Sequence, residues 1–247
     1  MRGLGLPFER TLMFAPHPDD ESIGAGGLLA HIAHSGGMVR VVFLTNGDNN
    51  PWPQRAYRRQ WPISSRDRRA WGRLRRLEAR CALRVLGVAS AGTSFLGFPD
   101  DGLAQIVRKD RDRLVEPIAN ALREFRPTLL VVPSLEDFHA DHRATYRATL
   151  RALFPPEMPK PELALAYIVH GKLRSPDVEI ALCDGDIERK RKAIECHQTQ
   201  LLLSRRRFLE YGARKEEFAA LKIVTVRDES RTAKWRAKCR HAISVMR

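Results

Sequence analysis

Short apolar runs alternate along this chain with longer amphipathic stretches. The apolar runs are rich in Val, Leu, Ile and Phe and have the length of single buried strands. They predict strands at residues 11–15, 38–45, 93–96, 128–132, 163–169 and 178–182. The amphipathic stretches repeat every three to four residues and predict helices at residues 23–34, 65–86, 110–125, 143–153, 186–201 and 216–221. This alternation is typical of an α/β fold with a parallel sheet.

Proline and glycine mark the boundaries of these elements. Three prolines between residues 51 and 62 predict a loop over residues 52–64, after which Ser64 or Ser65 is placed to cap a helix that ends at Gly87. Four prolines between residues 154 and 161 predict a second loop. No low-complexity linker divides the chain. We therefore expect one domain over residues 1–247, with a basic tail at residues 231–247.

Composition places the chain among soluble globular proteins, with 43% hydrophobic and 29% charged residues. The first ten residues contain no apolar core of a signal peptide, and no apolar run approaches the roughly 20 residues of a membrane span. We therefore expect a cytoplasmic protein without a transmembrane segment. The four cysteines are scattered and form no CxxC pair, which predicts reduced thiols rather than a disulfide framework.

The chain is strongly basic, with 43 Lys and Arg against 29 Asp and Glu and a net charge of +14. Such an excess indicates either an acidic partner or no more than well-solvated helix faces. No zinc-finger, RNA-recognition or helix-turn-helix pattern accompanies it, so nucleic acid is not the expected partner. The arginines between residues 55 and 84 favour a small-molecule substrate with an acidic group.

Two predicted strands end in clusters of imidazole and carboxylate groups. The first strand is followed by His17-Pro18-Asp19-Asp20-Glu21 and the fourth by His139-Ala140-Asp141-His142. The carboxyl ends of parallel strands lie at one edge of a sheet, where open α/β sheets bind ligands, so the clusters can converge. Neutral imidazole with carboxylate suits Zn²⁺ or Fe²⁺. Each cluster alone is also explained by a helix N-terminus or a solvated helix face, and only the two together favour a metal.

These motifs, in this order, resemble the PIG-L/LmbE family of metal-dependent N-deacetylases. The resemblance covers APHPDDE at 15–21, TNGD at 45–48, RRLE at 75–78, FLGFPD at 95–100, HADH at 139–142, HQTQ at 197–200 and EF at 217–218. It extends from residue 11 to about residue 218, with Thr199 where the family usually has Ser. A match of this length and specificity implies the fold and the chemistry of the family.

The resemblance implies that His17, Asp20 and His142 are the metal ligands. Two histidines and one carboxylate leave positions for water and substrate, as catalytic zinc sites do. Asp19 is then implied as the general base that takes a proton from water. The spacing of the residues alone leaves Asp19 and Asp20 interchangeable. Glu21 is most simply the first-turn carboxylate of the following helix.

The resemblance also implies roles around the metal. His139 is placed to stabilise the oxyanion or to act as an acid, and Asp141 to orient a histidine. Asp48, Arg75 and Asp100 match family positions near the sugar hydroxyls. For Arg75 the alternative is an ion pair within its own helix.

Other histidines carry less information. His197, with Gln200, either lines the site or packs against the sheet. His31 and His34 lie away from the N-terminus of their helix and are expected to be structural. His170 gives no signal.

The pattern and the resemblance together predict a Rossmann-like three-layer α/β sandwich, with a mostly parallel sheet and a metal site at the carboxyl ends of its strands. The expected activity is zinc-dependent removal of the N-acetyl group from an amino sugar or glycoconjugate. Two alternatives stay open. A non-haem Fe(II) enzyme uses the same His/Asp/His set, and a basic nucleic-acid-binding protein can retain an enzyme fold. A homo-oligomer is compatible with the sequence.

Overall fold

A seven-stranded sheet forms the centre of the molecule. The computed structural model describes residues 8–59, 61–212 and 215–221. The strands of the sheet are β1 (Arg10–Ala15), β2 (Met38–Thr45), β3 (Thr93–Phe98), β4 (Leu129–Pro133), β5 (Leu163–Tyr167), β6 (Val178–Ala181) and β7 (Lys215–Ala220). They lie in the order β3-β2-β1-β4-β5-β7-β6. Strands β1 to β5 pair in parallel, and β7 is antiparallel to both of its neighbours. The sheet is therefore mostly parallel, as predicted.

Helices cover both faces of this sheet. They are α1 (Asp20–His34), α2 (Pro51–Arg58), α3 (Ser65–Val85), α4 (Leu103–Lys109), α5 (Asp112–Phe125), α6 (Ala140–Leu153), α7 (Asp184–Cys196) and α8 (Gln198–Glu210). Alternate residues of β1 point to opposite sides. Met13 packs in a core with α1, α3 and α7, whereas Phe14 packs in a second core with α4, α5 and α6. These two cores confirm the three-layer α/β sandwich.

The loop predicted over residues 52–64 is wrong in its first half, because Pro51–Arg58 is helix α2. The side chain of Asn50 accepts a hydrogen bond from the N–H of Trp52 and caps this helix. Pro51 and Pro53 lie in the first turn, where a missing N–H breaks no helical hydrogen bond. Proline therefore starts this helix instead of preventing it. The second half of the prediction holds, since Ser64 caps α3.

The C-terminal third differs from the prediction in two elements. The helix predicted at residues 216–221 is wrong, because Lys215–Ala220 is strand β7, in which Glu216 and Phe218 are buried and Glu217 between them is not. That alternation has the two-residue period of a strand. The single helix predicted at residues 186–201 is two helices that meet at His197. The break falls at His197, whose φ of −81° and ψ of 57° are not helical.

No helix in the part of the chain that the structure describes is long and apolar enough to cross a bilayer. The basic tail predicted at residues 231–247 lies outside the described residues.

Candidate metal centre and active site

The two polar clusters meet at the carboxyl edge of the sheet. Strand β1 pairs with β2 on one side and with β4 on the other. The chain therefore leaves β1 in one direction along the sheet and later continues from β4 in the other. Such a reversal of strand order leaves a crevice at the carboxyl ends of β1 and β4. The loop after β1 carries His17, and the loop after β4 carries His139. Both rings line a cavity of about 360 Å³. The convergence expected from a parallel sheet is therefore confirmed.

One carboxylate oxygen joins the two clusters. Oδ2 of Asp20 lies 3.3 Å from Nδ1 of His17 and 3.2 Å from Nε2 of His142. It also accepts a hydrogen bond of 2.8 Å from the backbone N–H of His17. Two donors bound about 2.1 Å from one tetrahedral ion lie roughly 3.4 Å apart. Each of the two Asp20–histidine pairs has the spacing of two donors to one ion.

The polar atoms of this centre are poorly satisfied by the protein alone. Nε2 of His17, Oδ2 of Asp141 and both ring nitrogens of His142 are buried and have no partner in hydrogen-bond geometry among the residues described. Burial lowers the pKa of His142, but the carboxylates of Asp20 and Asp137 raise it to about 9. The surroundings therefore stabilise positive charge at this point. This donor set fits a bound divalent cation.

A second edge of His17 faces two more carboxylates. Its Nε2 lies 3.2 Å from Oδ1 of Asp100 and 3.5 Å from Oδ2 of Asp141. Each carboxylate is fixed by a backbone N–H, from Asn49 to Asp100 and from Ala104 to Asp141. Burial opposes the protonation of His17, but Asp141 and Asp20 raise its pKa well above the usual value. Asp100 and Asp141 therefore orient the His17 ring.

Among the described residues, two groups of three have ligand atoms that all lie within 4.8 Å of one another. They are His17 with His139 and His142, and His17 with Asp100 and Asp141. Both groups share His17. Several metal-ligating side chains therefore surround this one histidine.

Asp137 orients His142, a role that the sequence did not indicate. Its Oδ2 lies 3.0 Å from Nδ1 of His142 and accepts hydrogen bonds from the backbone N–H groups of Val169 and His170. Its Oδ1 accepts a third bond, from the N–H of His139. A carboxylate on the outer nitrogen of a ligand histidine fixes its ring and tautomer. A carboxylate between a strand end and HADH was the available signal.

Asp19 is held in a strained backbone conformation, with φ 143° and ψ −25°. Its carboxylate receives a hydrogen bond of 3.0 Å from Nη2 of Arg75. The same nitrogen donates to the carbonyl group of Pro18, and Nη1 of Arg75 donates to that of Gly47. Arg75 thus pairs with the loop after β1, and no ion pair within α3 involves it among the residues that the structure describes. Burial raises the pKa of Asp19 to about 6, although the Arg75 guanidinium acts in the opposite direction. Such a carboxylate is suited to accept a proton near neutral pH.

His139 precedes α6 and caps it. Its Nδ1 accepts a hydrogen bond of 3.2 Å from the N–H of Asp141, so the neutral ring carries its proton on Nε2. Burial and the neighbouring His17 and His142 lower the pKa of His139 and favour this neutral form. Because His139 also lines the cavity, its Nε2–H is available as a donor there.

Glu21 is fully buried, and it does more than start a helix. Its Oε2 accepts the backbone N–H of Asp19, and its Oε1 accepts the Ser22 hydroxyl and lies 2.8 Å from Nε2 of His197. This hydrogen-bond network holds the strained turn at Asp19 in place. His197 is buried beside Glu21 and is not among the residues that line the cavity. Of the two possibilities for this histidine, the structure therefore supports packing.

The C-terminal elements also contribute to the cavity, at Gln200, for which lining the site was one of the two possibilities, and at positions that the sequence did not indicate. Its further lining residues include His170, Gln200, Arg207, Phe208 and Tyr211. His170, which gave no signal, lies with its ring 5.5 Å from that of His139. Arg75 and Asp100 line the cavity as well, and Asp48 directly precedes the lining residue Asn49. His31 and His34 are bonded to Asp186 and to the carbonyl of Ala30, outside the cavity.

Comparison with known proteins gives a family and several relatives. The family profile of PIG-L, described as GlcNAc-PI de-N-acetylase, matches residues 12–153, more than half of the chain. A 1D-myo-inositol 2-acetamido-2-deoxy-alpha-D-glucopyranoside deacetylase of Salinispora arenicola is 32% identical over 164 residues, which cover 60% of this chain and 51% of that protein. The chain spans about half the length of the curated relatives that it matches.

Solved structures confirm the fold. The N,N'-diacetylchitobiose deacetylase of Pyrococcus horikoshii superposes with a TM-score of 0.68 at 22% identity, covering 89% of this chain and 87% of that one. GalB, the 4-carboxy-2-hydroxymuconate hydratase of Pseudomonas putida KT2440, superposes with a TM-score of 0.69 at 18% identity. The superposition covers 90% of this chain and 100% of GalB. A deacetylase and a hydratase share this fold, so the reaction must be argued from the site.

Proposed function

The chain belongs to the PIG-L family, and we propose that it is a divalent-metal-dependent hydrolase that releases acetate from an N-acetylated amino sugar or glycoconjugate. One observation carries this proposal. The Asp20 carboxylate bridges His17 and His142, and the strained Asp19 carboxylate lies beside it at the cavity wall. A metal-ligand set next to a carboxylate of raised pKa is the arrangement that amide hydrolysis by water requires.

In this proposal His17, Asp20 and His142 hold the metal. Zinc is the proposed ion because two imidazoles and a carboxylate form a common catalytic zinc set, and Fe²⁺ is the alternative. A bound metal would activate a water molecule and polarise the amide carbonyl. Asp137 fixes the ring of His142, while Asp100 and Asp141 fix that of His17. These three carboxylates keep the ligand nitrogens aimed at one point.

Asp19 is the proposed general base. Its carboxylate takes the proton from the attacking water and then returns it to the nitrogen of the leaving amine. The hydrogen bond from Arg75 fixes the Asp19 carboxylate, and Glu21 fixes its backbone N–H. The base is therefore positioned before substrate arrives, which lowers the reorganisation needed in the transition state.

His139 is the proposed oxyanion donor. Its neutral ring can present Nε2–H to the carbonyl oxygen of the acetamide as that oxygen gains negative charge. Asp141 supports this role from the other side, because its N–H occupies Nδ1 of His139.

The sugar hydroxyls are proposed to meet Asp48, Arg75 and Asp100. Arg75 and Asp100 already line the cavity, and the backbone beside Asp48 does so at Asn49. Their hydrogen-bonding groups suit an alcohol.

An acidic group on the substrate is proposed to meet Arg207, not the arginines that the sequence indicated. Arg207 is exposed, lines the cavity beside Phe208 and Tyr211, and has no ion pair among the residues that the structure describes. Arg75, by contrast, is already paired with Asp19. A guanidinium without a carboxylate partner suits a phosphate or carboxylate substituent.

Acetate release from a panel of acetamido sugars tests the activity. The full chain is stripped with a chelator, reloaded with Zn²⁺ or Fe²⁺, and assayed beside Asp19→Asn and Asp20→Asn. We expect Asp20→Asn to lose both metal and activity. Asp19→Asn should keep its metal and lose about 10²- to 10⁴-fold in kcat. Asp112→Asn, whose side chain is 78% exposed, serves as the control and should match the wild type.

The outcomes separate the parts of the proposal. Full activity of Asp19→Asn would remove the assignment of the base. If neither metal supports acetate release from any acetamido sugar, the substrate class is wrong. Oxygen consumption with Fe²⁺ instead of acetate release would favour the alternative of a non-haem Fe(II) enzyme. Tight, salt-dependent binding of nucleic acid without metal would favour the binding protein.

Paired neutral and phosphorylated acetamido sugars test the role of Arg207. Arg207→Gln should lower kcat/KM about tenfold for the phosphorylated member and leave the neutral one unchanged. Arg206→Gln is the matched control, because the neighbouring Arg206 side chain is 94% exposed and pairs with Glu210. An equal effect of Arg207→Gln on both sugars would contradict recognition of the acidic group.

A further inference from the structure

Two cysteines that are far apart in sequence lie in contact. Sγ of Cys81 on α3 is 2.8 Å from Sγ of Cys196, the last residue of α7, and the two residues are separated by 115 positions. Both are free thiols in the structure. The scattered spacing of the cysteines predicts reduced thiols and gives no sign that two of them meet. The fold instead brings this pair together.

The contact lies between elements that are held together independently of it. Helices α3 and α7 pack against each other in the same core. One turn before Cys81, the carboxylate of Glu78 accepts hydrogen bonds from the N–H and the hydroxyl of Thr199, at 2.9 Å and 2.6 Å. The backbones on both sides are thus fixed while the sulfurs touch, so no large rearrangement separates the thiols from a bond.

The two thiols differ in their surroundings. Cys81 is exposed, whereas Cys196 is half-buried. Burial raises the pKa of the Cys196 thiol to about 12, and the neighbouring Cys81 acts in the same direction. Cys81 is therefore the sulfur that an external oxidant reaches first, and Cys196 is the sulfur that resolves the product.

We propose that Cys81 and Cys196 are a modification site, at which an oxidising disulfide reagent forms a reversible bond between α3 and the turn that carries His197. With oxidised glutathione, the Cys81 thiolate attacks one sulfur of the reagent and displaces one glutathione thiolate. The Cys196 thiol gives up its proton to solvent and attacks Sγ of Cys81, displacing the second glutathione. Two protein thiols are oxidised to one disulfide, and one glutathione disulfide is reduced to two thiols.

The bond would tie together two supports of the proposed active site. Helix α3 carries Arg75, which bonds to Asp19, and the residue after Cys196 is His197, which pairs with Glu21. Closing a loop of this length restricts the unfolded chain and so stabilises the folded one. The oxidised protein is therefore expected to melt at a higher temperature than the reduced protein.

Thiol mapping combined with thermal unfolding tests this proposal. The full chain is incubated with oxidised glutathione, alkylated with N-ethylmaleimide, digested and analysed by mass spectrometry, and its Tm is measured before and after dithiothreitol. We expect a peptide pair linked through Cys81 and Cys196 and a rise in Tm of about 5 °C or more that dithiothreitol reverses. Cys81→Ser should abolish both effects.

Cys183→Ser is the matched control. Cys183 is also exposed, but its thiol donates to the carboxylate of Asp186 and touches no second sulfur in the described part of the chain. This variant should respond to oxidation as the wild type does. A glutathione adduct that persists on Cys81, or full alkylation of both cysteines after oxidation, would overturn the proposal. Neither readout uses catalytic activity, so failure here is distinct from failure of the proposed function.

Discussion

Asp19 adopts a backbone conformation that residues with a Cβ rarely adopt, and its neighbours hold it there. Its carbonyl accepts hydrogen bonds from the N–H groups of Ser22 and Ile23, its N–H donates to Glu21, and its carboxylate is held by Arg75. Such strain costs about 1–3 kcal/mol and persists only where the surrounding contacts over-determine it. Strain at the proposed base is consistent with a site built for function.

Glu21→Gln is predicted to loosen this turn. The Glu21 carboxylate accepts from Asp19, Ser22 and His197, whereas an amide has only one acceptor oxygen, so at least one buried donor loses its partner. We expect the free energy of unfolding to fall by about 1–3 kcal/mol. The kcat for acetate release should fall while the metal content stays constant.

The control for this variant is Glu195→Gln, whose exposed carboxylate pairs with Arg205. It should change the free energy of unfolding by less than about 0.5 kcal/mol. Urea denaturation of both variants, with metal analysis, makes the comparison. If the two variants behaved alike, Glu21 would not support the turn.

At the scale of elements, a carboxylate on β7 binds backbone N–H groups next to a break in α1. Ala25 has φ −150° inside this helix, and the N–H groups of Gly27 and Leu28 donate to the two carboxylate oxygens of Glu216 on β7, each at 2.8 Å. Lys190 of α7 pairs with the same carboxylate at 2.7 Å. One side chain thus joins the antiparallel edge of the sheet to the helix that begins at Asp20.

Glu216→Ala is predicted to be strongly destabilising. It leaves Lys190, which is 2% exposed, without its partner and leaves two N–H groups of α1 unbonded. The expected loss in the free energy of unfolding is about 3–5 kcal/mol. Glu217→Ala on the same strand removes a carboxylate that points outward, and it should cost less than about 0.5 kcal/mol. Equal losses in urea denaturation would contradict the bridging role of Glu216.

The glycine-rich start of α1 has a packing reason. A Cβ on Gly24 would lie 2.2 Å from Cδ2 of Tyr167, a fully buried ring whose hydroxyl donates to the carbonyl of Phe14. Neither the ring nor the strand behind it has space to move. Glycine is therefore what allows α1 to lie close to β5.

Gly24→Ala is predicted to lower the free energy of unfolding by about 1–3 kcal/mol through overpacking. The control is Gly185→Ala in α7, where the nearest atom to the new Cβ is the end of the flexible Arg189 side chain, at 3.1 Å. That substitution should be neutral or stabilise the protein by up to about 1 kcal/mol. Thermal unfolding of both variants distinguishes the two environments, and a neutral Gly24→Ala would contradict the packing explanation.

At the scale of the whole molecule, a basic protein encloses an acidic crevice. The net charge is +14, yet Asp19, Asp20 and Asp100 line the cavity. Much of the arginine excess between residues 55 and 84 contacts the protein itself: Arg55 stacks on Trp52 and Trp61, Arg68 donates to Asn49, Arg75 pairs with Asp19, and Arg76 and Arg80 lie over Phe95. The overall charge is therefore a poor guide to the charge of the site.

Metal binding is predicted to stabilise the whole fold. A ligand that binds only the folded state at a free concentration of 100 Kd contributes about 2.7 kcal/mol. Because the proposed ligands come from the ends of β1 and β4, Zn²⁺ should raise the Tm by several degrees and a chelator should reverse the rise. Asp20→Asn should show no such shift, while Asp112→Asn should keep it. If Zn²⁺ left the Tm of the wild type unchanged, the proposal of a metal site would be contradicted.

Much of this protein was predictable from local sequence. Residues within a few positions of one another determine hydrophobic periodicity, so most strands and helices were found within a few residues of their bounds. The errors at α2 and β7 arose where short-range signals conflict. Proline both breaks helices and starts them, and an acidic stretch such as Lys215–Ala220 becomes a strand only when its neighbours supply the pairing.

The sequence by itself determined the three-layer fold and the two strand-end clusters, and by resemblance it named their residues. Only the tertiary structure decided that Asp137 and Asp141 contact different histidines, that Arg207 of α8 lines the cavity, and that Cys81 meets Cys196. The physical reason is range. Hydrogen bonds and sulfur contacts form between atoms a few ångströms apart, and the packing of the helices and strands determines which distant residues reach that separation.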